Sequence, residues 1–119
     1  MPPGRNRMRR VNGALREVLA EAVARDLSDP RLGFLTITEV EATPDLREAK
    51  VFFTVLSSER REESKDALES ARGILQGRVA AELRTKHTPH LSFVYDTLRE
   101  EAESLTRLID RVTGTEETP

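Results

Sequence analysis

The sequence predicts a single two-layer α+β domain with elements in the order α-β-β-α-α-β-α. Three observations lead there. Two stretches alternate like strands and are joined by the short turn Thr43-Pro44-Asp45, which makes them a hairpin. A third extended stretch, Leu91-Ser92-Phe93-Val94-Tyr95, returns only after a long helical region. Other regions repeat apolar residues at helical spacing. A hairpin with one returning strand cannot cover its own apolar face, so helices must pack on it.

Residues 1–6 read as a flexible basic arm, 7–112 as the folded domain and 113–119 as a flexible tail. The first helix spans about 7–27, with Val11, Leu15, Val18, Leu19, Ala22 and Val23 on one side. Asp29-Pro30 ends it, because the residue before proline avoids the helical region. Gly33 then loosens the chain ahead of the first strand, about 34–42, where Phe34, Thr36, Thr38 and Val40 alternate with Leu35, Ile37 and Glu39. The second strand, about 46–56, places Ala49, Val51, Phe53 and Val55 on one face.

Helical pattern resumes over 62–86, interrupted at Ala71-Arg72-Gly73. A glycine inside a helix costs about 1 kcal/mol against alanine, so it needs a reason. Two readings compete. Gly73 can mark a junction between two helices, or small residues such as Gly77, Ala80 and Ala81 can admit a close neighbour. The long uninterrupted alternative favours the junction at 71–73, and the small strip favours close packing at 77–81. A junction also exposes the first amides of a new helix, which suit a phosphate. Pro89 fits the start of the third strand, expected beside the first and parallel to it. Thr97-Leu98-Arg99-Glu100 matches a capping box for a last helix carrying Leu98, Ala102, Leu105, Ile109 and Val112. The expected core is Phe34, Ile37, Val51, Phe53, Val55, Leu68, Leu75, Val79, Leu91 and Phe93, with Ile37 on the strand face opposite Phe34.

The 119 residues suit one domain. With no cysteine in the sequence, disulfides, thiol nucleophiles and cysteine metal sites are excluded. No apolar run approaches about 18 residues, and the arginine-rich start lacks a signal-peptide apolar region, so a cytoplasmic protein is the default expectation. His87 and His90 are separated by Pro89, with no carboxylate in the motif to complete a metal set, so no metal is expected. Nor is a cofactor or a small-molecule substrate: no glycine-rich phosphate loop follows a strand. The carboxylates Glu100, Glu101 and Glu103 read as a solvated helix face, and no enzyme activity is expected.

The net charge of −2 hides a segregation. Residues 1–16 hold five arginines and no acid, and residues 71–90 carry Arg72, Arg78, Arg84 and Lys86 against Glu82. Residues 17–56 and 96–119 are each −4. A basic side of this kind can meet phosphate. The candidate contacts are Arg5, Arg7, Arg9 and Arg10 in the arm, Ala71, Arg72 and Gly73 at the junction, and Arg78, Arg84 and Lys86 beyond it. By helical phase the later basic residues fan around the axis, so Arg72 ranks first and Arg84 second. With few aromatics, backbone and shape contacts outweigh base stacking. The competing reading is a protein–protein module of the same build, which an exposed apolar patch would support.

Taken together, the arginine-rich first helix, Asp29-Pro30-Arg31-Leu32-Gly33, Ala49-Lys50-Val51-Phe52-Phe53-Thr54-Val55, Ala71-Arg72-Gly73, Leu83-Arg84 and Pro89-His90-Leu91-Ser92-Phe93-Val94-Tyr95-Asp96 resemble the ribosome-binding factor A family. The resemblance covers most of the chain. It implies a type II KH-like fold in which Ala71-Arg72-Gly73 stands where typical KH domains hold GxxG, the loop that clamps a nucleic-acid backbone. It also implies a monomeric, non-catalytic factor that binds the small ribosomal subunit through 16S rRNA. Late maturation, processing of the precursor RNA and cold adaptation are the expected setting.

Overall fold

The structure, a computed structural model, describes residues 3–32, 35–83, 87–98 and 108–109, with 3–5 described by backbone alone. Helix α1 (Pro3–Arg25) is followed by a single 3-10 turn (Pro30–Leu32), then strands β1 (Leu35–Ala42) and β2 (Glu48–Val55). A second 3-10 turn (Ser58–Arg60) leads into α2 (Arg61–Ser70), α3 (Arg72–Leu83) and β3 (His90–Tyr95). The expected α+β, KH-like plan is present, with helices on one face of a three-stranded sheet.

Helix α1 starts inside the stretch expected as an arm. Proline is tolerated in a first turn, where its missing N–H has no partner to lose, so Pro3 does not delay the helix. Leu15, Leu19, Ala22 and Val23 are buried along one stripe, and the helix lies across β1. Asp29 organises the turn that follows: its carboxylate accepts the Arg31 backbone N–H at 2.9 Å and the Arg31 Nη2 at 2.6 Å. These bonds lower the Asp29 pKa below its ordinary value, the side-chain bond first and the backbone bond second. The buried Ser64 hydroxyl of α2 donates to the Arg31 carbonyl at 3.2 Å, tying the turn to the helix pair.

Strand β1 pairs antiparallel with β2, with a register shift between Ile37 and Glu39. This bulge reconciles Ile37 with Val40, while Phe34, which the alternation set opposite Ile37, lies outside the described residues. One extra residue inverts the alternation, so Ile37 before it and Val40 after it both face the core. Ala49, Val51 and Phe53 are buried as expected, and Val55 packs partly buried against them. The hairpin tip holds Leu46 at φ 58, an uncommon left-handed conformation for a non-glycine residue.

The position of β3 corrects the expected order. It lies beside β2, parallel to it, in the order β1-β2-β3. The helix pair carries the chain back to the end where β2 began, and the His90 N–H donates to the Arg47 carbonyl at 2.8 Å. A strand starting at that end must run with β2. The far edge of β1 is already met by α1, whose Asn12 Oδ1 accepts the Ala42 N–H at 2.9 Å. Leu68, Leu75, Val79, Leu91 and Phe93 complete the buried core. Phe34, Arg99 and Glu100 of the expected capping box, and most of the expected last helix lie outside the described residues, as do 113–119. Residues 97–98 and 108–109 are helical.

Close packing over the small strip is not what the structure shows. Gly77, Ala80 and Ala81 are exposed, and a Cβ built on Gly77 meets nothing within 4 Å. Helix α3 buries Leu75 and Val79 instead, so the small residues lie on its outer side.

Candidate nucleic-acid interface

The first turns of α1 carry no acid. Arginines there oppose the positive end of the helix dipole, an arrangement that local stability does not favour. Arg7, Arg9 and Arg10 are exposed, and they precede Leu15, the first buried residue of the helix. Asn12 marks where the helix meets the sheet through its bond to Ala42. The three arginines thus stand beyond the point of docking. The side chains of Arg5, Arg84 and Lys86 lie outside the described residues.

The junction forms at Ala71, which has φ −92 and ψ 4. Its N–H still bonds back to Ala67 and Leu68, closing α2, and its carbonyl accepts the first bond of α3 from Leu75 at 3.0 Å. The amides of Arg72, Gly73 and Ile74 precede that bond and open the new helix. Gly73 is exposed, its φ is not positive, and a Cβ there meets nothing within 4 Å. The glycine therefore answers neither a backbone strain nor a close neighbour in this structure. The first turn of α3 contains no acid. One flank of the junction opens on a cleft of about 310 Å³ in which Leu27, Leu32, Ala67, Ala71 and the exposed Ile74 stand beside Asp26 and Asp29, each paired with an arginine.

Arg72 is half-buried rather than free in solvent. Its Nε donates to the Leu91 carbonyl at 3.0 Å, and its guanidinium carbon stands 5.8 Å from the Phe93 ring centre. This fixes the side chain on the edge of β3 and leaves its Nη atoms as the part that can meet an anion. Arg78 is turned inward. It pairs with Asp26 at 2.8 Å and Glu21 at 3.4 Å, both in the last part of α1 or just after it, and with Glu82 at 3.7 Å. Three carboxylates offset its charge, so it bridges α1 and α3 in this geometry.

The structure therefore brings Ala71, Arg72 and Gly73 together and places Arg7, Arg9 and Arg10 on one projecting helix end. It sets Arg78 apart from both. Sequence reasoning passed over Gln76, whose Oε1 accepts the Leu91 N–H at 3.0 Å beside Arg72. The four-residue spacing of Arg72 and Gln76 on one helix was the available signal. Of the acidic partners of Arg78, Glu82 stands four residues on in the same helix and was a local signal, whereas Glu21 and Asp26 are remote in sequence and left none. Among the described residues no three metal-ligating side chains converge, and no helix is long and apolar enough to cross a membrane.

A model of the family described as ribosome-binding factor A matches residues 7–109. A ribosome-binding factor A of Frankia casuarinae is 47% identical over 104 residues, which cover 87% of this chain and 62% of the relative. The chain thus spans less than two thirds of that relative's length. The solution structure of a putative ribosome binding factor A from Thermotoga maritima superposes with a TM-score of 0.69 at 31% identity, covering 79% of this chain and 90% of that one. A Thermus thermophilus ribosome binding factor A homology model, fitted into a cryo-EM map of a 30S complex, gives 0.59 at 30% identity, covering 70% and 88%. With the matching fold and the family match over most of its length, the chain belongs to the ribosome-binding factor A family.

Proposed function

We propose that this chain is a ribosome assembly factor that binds the small (30S) subunit through its 16S rRNA. It assists late maturation and processing of the precursor RNA, including in the cold, as a cytoplasmic monomer that catalyses no reaction itself. The observation that carries this reading is the acid-free, arginine-rich end of α1, exposed ahead of the docked part of the helix. Family membership supports it, as does the relative fitted into a 30S complex map. Arg7, Arg9 and Arg10 contact phosphate first, and Arg5 joins them by its charge. The Arg72 Nη atoms and the amides of Arg72 and Gly73, with Ala71 shaping the turn, form a second contact. Arg84 and Lys86 extend it if the RNA tracks along α3, and Arg78 contributes least because carboxylates already surround it.

Co-sedimentation with purified small subunits at two salt concentrations tests the reading. The Arg7→Gln/Arg9→Gln/Arg10→Gln protein is expected to melt like the parent and bind more weakly. Its salt slope should flatten by about 0.7–0.9 for each phosphate that is no longer neutralised. Binding by the parent that ignores salt would instead favour a protein–protein module. Accumulation of precursor 16S rRNA in cells carrying only the triple variant, greater in the cold, tests the processing role.

A further inference from the structure

The parallel pairing of β3 with β2 decides which backbone groups of β3 face outward. The N–H of His90 and of Asp96 both donate to β2, to the carbonyls of Arg47 and Phe53. Backbone direction alternates along a strand, so Leu91, Phe93 and Tyr95 present their N–H and C=O to the outer edge, where no described strand pairs. Such an edge is a template for another strand. At Leu91 both groups are already occupied. Gln76 Oε1 accepts its N–H at 3.0 Å, and Arg72 Nε donates to its carbonyl at 3.0 Å. One acceptor and one donor on a single residue are what a neighbouring antiparallel strand would supply.

We infer that Arg72 and Gln76 act as a side-chain strand that closes the β3 edge against a second copy of this chain. In the register that uses all three outward residues, two copies meeting edge to edge about a two-fold axis centre on Phe93 and match each Leu91 with Tyr95 of the other copy. Occupying Leu91 removes both outer pairs at once and leaves only the central Phe93 pair. The opposite edge of the sheet is treated in the same way. There Asn12 Oδ1 takes the outward N–H of Ala42, and the bulge after Ile37 bends the strand. Two carboxamides on two helices thus guard the two edges. This inference stands independently of RNA binding, because it concerns the Nε of Arg72 and not its Nη atoms.

The test is sedimentation of the Arg72→Ala/Gln76→Leu protein over a concentration series, with backbone amide exchange followed in parallel. The parent is expected to stay monomeric. The double variant should associate at a concentration at least about tenfold lower, with the Phe93 and Tyr95 amides gaining protection as it does. Gln76→Glu, which keeps the acceptor, should behave like the parent. A folded double variant that stays monomeric over the same range overturns the proposal, as does association that leaves those two amides unprotected. Should the double variant fail to fold, Gln76→Leu alone is decisive. Its Leu91 amide should exchange at least about tenfold faster while that of Ser92, which faces β2, is unchanged, and equal rates at Leu91 overturn the proposal.

Discussion

Phe53 is fully buried, and its ring meets Tyr95 edge-on with centroids 5.6 Å apart. Phe53→Ala removes that ring and leaves a cavity among β2, β3 and the helices. Chemical denaturation should show a loss of about 3–5 kcal/mol. Gly77 gives a test of the opposite sign. It lies in the middle of α3, exposed, with open space where a Cβ would go. Gly77→Ala should therefore raise stability by about 0.5–1 kcal/mol. A loss would mean that the outer side of α3 has a close neighbour after all. Asp29 tests the turn after α1. Its pKa is lowered by the Arg31 bonds, so its contribution is present above the unfolded carboxylate pKa and is lost as pH falls through the folded value. Asp29→Asn should melt below the parent at neutral pH, and the gap should close only in acid, below the ordinary carboxylate value of 3.8.

At the scale of elements, much was legible in the sequence. Alternation at Ala49, Val51 and Phe53 revealed β2, because its inner face is apolar and its neighbours on the other face are Lys50, Phe52 and Thr54. The break at Ala71-Arg72-Gly73 separated α2 from α3 at the expected place. Three things were not legible, each for a physical reason. A bulge is an insertion relative to a partner strand, so the strand's own alternation makes Ile37 look misplaced. The strip of small residues on α3 has the same spacing whether it meets a helix or water. The edge beside which β3 lies depends on contacts remote in sequence, such as the bond from Ala42 on the outer edge of β1 to Asn12, 30 positions earlier. The candidate site was half legible for a similar reason. Local charge located the arginines of α1, while Leu91, which holds Arg72, and Glu21 and Asp26, which join the nearby Glu82 around Arg78, are remote in sequence.

At the scale of the molecule, Arg78 is a polar link between the first helix and the helix pair. Its side chain is 30% exposed and its acidic partners are partly exposed too, so each pair is worth about 0.2–1 kcal/mol and is screened by salt. Arg78→Met keeps the aliphatic stem and removes the charge. It should lower stability by about 1 kcal/mol in dilute buffer and by clearly less in 1 M salt. A loss independent of salt would assign the role of Arg78 to packing.

The placement of β3 also has a consequence in time. His90 and Glu48, which pair, stand 42 positions apart. The chain must order two helices before this ladder can form, and bringing such distant segments together carries a loop-closure entropy that a hairpin avoids. During synthesis α1 and the hairpin emerge first, yet Val51 and Phe53 lack their Leu91 and Phe93 neighbours until the third strand has been made. Until then the second strand presents its open edge and part of its apolar face to whatever is nearby. The final strand thereby acts as the closing step of folding, and the core becomes complete only when almost all of the domain has left the ribosome that made it.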